Sequence, residues 1–153
     1  MQAAVRHLSR EHQQVYRQFA IRWMQGCMYT RVYAAADDAL TRGQIDTWAR
    51  ALGEVVPQVG GPFVSIIDTR DIGEIPRSLW MGLVQLSAAM PRLPERRALL
   101  AAEGWLGDTQ AEAVSLVTAG KVRVFRPSQF DEMVAWLADV GTIAPSELAH
   151  FIS

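Results

Sequence analysis

Three short apolar runs constrain this chain more than any other feature: residues 63–67 (FVSII), 98–102 (ALLAA) and 122–125 (VRVF). The first two are apolar on both faces, as strands are when helices cover a sheet from above and below. The segments between them carry a helical period. Ile45, Trp48, Leu52 and Val55 recur at steps of three and four before the first run, and Pro57 with Gly60 and Gly61 marks an end. Leu79, Leu83, Leu86 and Met90 form the inner face of a second helix, with Pro76 in its first turn, where a missing N–H costs nothing. Thr109 and Glu112 make a capping box for a third helix through Val117, closed by Gly120. A fourth begins at Pro127 or Ser128, holds Phe130, Met133, Val134, Trp136 and Leu137, and stops at Gly141.

Ahead of this alternation the period is two. Val15, Phe19, Ile21 and Trp23 point one way, and Gln18 and Arg22 the other. After Gln25-Gly26 a second alternating segment sets Tyr29, Arg31 and Tyr33 against Met28, Thr30 and Val32. The pair predicts a β-hairpin turned by Gly26. The expected order is ββαβαβαβα: an α/β fold with a single mixed, mainly parallel sheet of about four to five strands. Residues 1–14 read as a polar N-terminal arm, 15–141 as the α/β domain and 142–153 as a C-terminal helical tail.

Composition narrows the function classes. At 153 residues and a formal charge of −1, the chain suits one domain and has no global field to recruit nucleic acid. Lys121 is the only lysine, so almost every cation is a planar, bidentate guanidinium. Cys27 is the only cysteine, which excludes an internal disulfide and a multi-cysteine metal site. The polar N-terminus carries no secretion signal and no apolar run approaches a membrane span, so the expected location is the bacterial cytoplasm.

Catalytic fingerprints are missing: there is no P-loop, dinucleotide-binding glycine pattern, HExxH or nucleophile elbow. No cofactor and no metal are expected. Asp68, at the carboxyl end of a strand, stands where ligands gather in α/β sheets. Phosphoryl acceptance there needs a lysine after the last strand, and that strand ends in Phe125-Arg126-Pro127, with Lys121 at its opposite end.

One resemblance covers about residues 14–140. The strand FVSII followed by Asp68-Thr69, the loop apolars Ile72 and Ile75, and Pro76-Arg77-Ser78-Leu79 opening a helix resemble the STAS domain family, typified by bacterial anti-sigma-factor antagonists. The resemblance implies that the family's phosphorylated serine falls on Ser78. The family's acidic residue, first serine and glycine are here Pro76, Arg77 and Leu79, which moves the expectation from a phosphoswitch toward a divergent binding module.

The leading expectation is therefore a non-catalytic STAS-like regulatory or scaffold module that binds a protein partner: a regulator, a kinase, or itself as a homodimer. Its candidate contact residues are Asp68, Arg70, Asp71, Glu74, Arg77 and Ser78 in the loop and helix start. The stripe Tyr29, Arg31 and Tyr33, joined by Tyr16 and Arg22, and the loop residue Trp105 add to them, being types that anchor interfaces. A second reading is a small apolar ligand or lipid in a pocket among Trp48, Trp80, Met81 and Trp136. A third is an enzyme built on Asp68, Arg70, Asp71 and Glu74.

Overall fold

The hairpin is the organising element. In the computed structural model, which describes residues 11–16, 19–33, 42–72, 92–102, 116 and 118–153, β2 (Phe19–Met24) pairs antiparallel with β3 (Cys27–Val32). Gln25 and Gly26 make the turn, and Gly26 sits at φ +87°, in the left-handed region that favours glycine. A Cβ there would clash with the Thr142 carbonyl oxygen, so glycine is required for space as well as conformation. The Thr142 hydroxyl donates to the Gly26 carbonyl oxygen at 3.0 Å, tying the turn to the C-terminal region.

Three parallel pairings extend the sheet through β4 (Val64–Asp68), β5 (Arg96–Leu100) and β6 (Val122–Phe125). A further strand, β1 (His12–Val15), lies antiparallel on β2 and makes the opposite edge. The spatial order is β1-β2-β3-β4-β5-β6, a mixed sheet of six strands. The fold is α/β, with more strands than the four to five expected. The surplus strand comes from residues 12–14, which read as arm because an exposed edge strand has no apolar alternation to reveal it. Val15 accordingly belongs to β1 and is exposed, while Phe19, Ile21 and Trp23 on β2 are buried.

The two faces of the sheet carry separate cores. Helix α1 (Arg42–Val59) lays Trp48, Leu52, Val55, Val56 and Val59 on the face holding Phe19, Ile21, Trp23, Met28, Val32, Ile67 and Leu99. It runs through Pro57, since a proline in the last turn forfeits little of the ladder, and ends where Gly60 and Gly61 take positive φ. After β6 a 3₁₀ turn (Pro127–Gln129) leads into α2 (Phe130–Ala138), followed by α3 (Pro145–Ile152). These helices pack Met133, Val134, Leu137, Leu148, Phe151 and Ile152 on the other face, against Met24, Cys27, Tyr29, Ile66, Ala98 and Phe125. Residues 142–153 are thus bound into the core, with Leu148 fully buried.

β5 begins two residues earlier than its apolar run suggests, because Arg96 and Arg97 are strand residues. Arg96 lies over the Trp136 ring at 5.1 Å and donates to the Trp136 carbonyl oxygen at 2.7 Å. Arg123 takes the same ring at 5.4 Å, so the tryptophan on α2 is held by two guanidinium groups of neighbouring strands. Among the described residues, no helix is long and apolar enough to cross a membrane.

Candidate functional site

Side chains at the carboxyl ends of β3 and β4 form a connected polar cluster. Alternation puts Tyr29 and Arg31 on the α2–α3 side of β3, and parallel register sets Arg31 beside Asp68 at the end of β4. Asp68 is 2% exposed, so its carboxylate needs internal partners. It has four. The Tyr29 hydroxyl donates to Oδ2 at 2.5 Å and Arg70 Nη2 to the same oxygen at 2.8 Å. Arg70 Nε and the Arg70 backbone N–H reach Oδ1 at 3.0 and 3.1 Å. The last contact, two residues along the chain, is the local bond by which an Asp shapes the turn after a strand.

Electrostatics follow from these contacts. Burial opposes ionisation of Asp68, but the side-chain hydrogen bonds from Arg70 and Tyr29 and the backbone N–H outweigh it, holding the carboxyl below its ordinary range. Burial raises the Tyr29 phenol, and its hydrogen bond to Asp68 raises it further. The loop is pinned from β5 as well: the Thr69 N–H and hydroxyl both donate to the Leu100 carbonyl oxygen, at 2.8 and 3.1 Å. Outside this anchored core, Arg31 Nε pairs with Asp71 at 2.8 Å, both side chains being well exposed.

Beside the cluster is a cleft of about 420 Å³, lined by Arg22, Tyr29, Arg31, Tyr33 and Arg70 among others. β1 contributes Gln13, and the end of α3 contributes Ile152 and Ser153. Arg22 lies over the Phe151 ring at 4.8 Å and the Tyr29 ring at 5.8 Å. Among the described residues it has no carboxylate partner.

Of the residues singled out in the sequence, the structure brings together Tyr29, Arg31, Tyr33, Asp68, Arg70 and Asp71. Glu74, Arg77, Ser78 and Trp105 lie outside the described residues. Tyr16 does not join the stripe: it stacks on Phe19 and packs with the α1 core on the opposite face. Of the four residues expected to line an apolar pocket, Trp48 and Trp136 do not meet: Trp48 lies in the α1 core and Trp136 packs on the α2–α3 core, with the sheet between them. Trp80 and Met81 are outside the described residues.

Sequence reasoning did not foresee the contribution of Gln13, Ile152 and Ser153 to the cleft. No local signal marks them, since β1 hides its period and α3 arrives from the far end of the chain. Among the described residues, no group of three His, Cys, Asp or Glu gathers as a metal site. No family model matches this chain, and comparisons with curated proteins and with solved structures give no match.

Proposed function

We propose that this chain is a non-catalytic, STAS-like regulatory or scaffold module that docks a protein partner on the surface at the carboxyl ends of β3 and β4. One observation carries the reading: the Asp68 carboxylate is buried and fully engaged by Tyr29 and Arg70, so it works as framework. Of the groups it leaves at the surface, Arg31 and Asp71 are paired with each other before any partner arrives, which lowers the ordering cost of association, and Tyr33 lies beside them. Arg and Tyr are the residue types that anchor such contacts. The partner is a bacterial signalling protein, a regulator or kinase, or a second copy of the chain, and the module works in the cytoplasm.

The test uses the tagged full chain expressed in its native host, with Arg31→Glu as the matched variant. A specific protein retained by the parent and lost with Arg31→Glu, at equal melting temperature, supports the reading. Recovery of the monomer alone from both, at working concentration, refutes it.

A further inference from the structure

Among the described residues, the cleft beside the cluster is lined by more hydrogen-bond donors than acid side chains. Arg22, Arg31 and Arg70 line it, and among the described residues one lining acid side chain, Glu11, stands against them. Asp68 and Asp71 belong to the lattice behind and beside the cleft and take only part of the donor capacity. Arg70 commits Nε and one N–H of Nη2 to Asp68, and Arg31 commits Nε to Asp71. Among the described residues Arg22 commits none to a carboxylate, and it lies over the rings of Tyr29 and Phe151. A guanidinium carries five N–H donors and no acceptor, so the three together present far more donors than the lining accepts.

We propose that this cleft binds a small organic phosphate monoester. A tetrahedral dianion offers oxygens out of one plane to guanidinium groups arriving from β2, β3 and the loop after β4. A planar carboxylate serves one such fork well and three badly. A volume of about 420 Å³ is in the range of small-molecule sites and leaves room for an organic remainder against Tyr33 and Ile152. Glu11 and the carboxyl end of α3 border the same cleft and repel an anion, so binding there depends on the three guanidinium groups together. The site goes beyond partner docking but shares Arg31 and Tyr33 with that surface, so an occupied cleft and a docked partner compete.

Titration calorimetry of the purified chain with phenyl phosphate, inorganic phosphate and benzoate tests the assignment with no partner present. Phenyl phosphate is expected to bind with an affinity that falls as salt rises, and more tightly than either of the other two probes. Arg22→Gln is expected to weaken it at least tenfold, and Arg31→Gln at least threefold, while Arg22→Lys retains part of the affinity. Melting curves establish that each variant folds, and Arg31→Gln, changed at an exposed position, keeps the test open if Arg22→Gln does not. Absence of phenyl phosphate binding, binding untouched by folded variants, or equal binding of inorganic phosphate or benzoate overturns the proposal. None of these outcomes bears on partner retention, so the two readings fail separately.

Discussion

Replacing Asp68 by Asn tests the central cluster most directly. The shape is conserved, so packing is unchanged, but the charge is lost and one acceptor oxygen becomes an NH₂ donor. That donor faces the Tyr29 hydroxyl and Arg70 Nη2 if the amide keeps its oxygen toward the Arg70 backbone N–H. A hydrogen bond to a charged group is worth about 1.5–3 kcal/mol. Stranding one member of a buried pair costs about 3–5 kcal/mol. Arg70 is 38% exposed and regains water when Asp68 is neutralised, which puts the expectation at the low end. The predicted loss is about 2–3 kcal/mol, read from the urea midpoint at unchanged m-value. Tyr29→Phe alone is predicted to cost about 1–2 kcal/mol, and the double variant to fall short of the sum by about 1 kcal/mol. An Asn variant within about 0.5 kcal/mol of the parent, or strict additivity, would refute the reasoning.

The same carboxylate has a pH signature. Its folded pKa lies below the ordinary 3.8, so its contribution is fully present above that pH and is lost as pH falls below it. The stability gap between parent and Asp68→Asn should therefore be flat at neutral pH and narrow once pH drops under about 3.8, as acid-titrated urea curves will report. Gly26→Ala combines a left-handed backbone with a clash on the Thr142 carbonyl oxygen, and should lower stability by at least about 2 kcal/mol, seen as a melting point down by several degrees. Leu148→Ala, at a fully buried position of α3, should cost about 2–5 kcal/mol in chemical denaturation, where an unpacked tail would show no change. Cys27 is wholly buried and burial pushes its thiol up, so a thiol reagent at mild alkaline pH should label it only after unfolding.

Much of the fold is legible along the chain because its signals are local. The run at residues 63–67 is apolar on both faces and is a central strand; Gly26 punctuates two alternating segments and is the hairpin turn. The split of β3 into Tyr29 and Arg31 on one side and Met28 and Val32 on the other follows from period two alone. Asp68 stands out by its place at a strand's end, a position that sequence can read.

What the chain does not announce depends on partners distant in sequence. Residues 12–14 are strand only because β2 offers them an edge, and α1 continues through Pro57 because its packing outweighs one lost hydrogen bond. Trp48 and Trp136 look alike as apolar anchors, and only the sheet between them assigns each to its own core. Asp68 stands out as a candidate, but what its carboxylate meets is decided by Tyr29, 39 residues away, and by the turn that brings Arg70 back onto it. Arg22 owes its place in the cleft to Phe151, which reaches it from the other end of the chain. Periodicity reports which face a side chain takes; only the register of neighbouring strands and the return of α3 determine what it meets there.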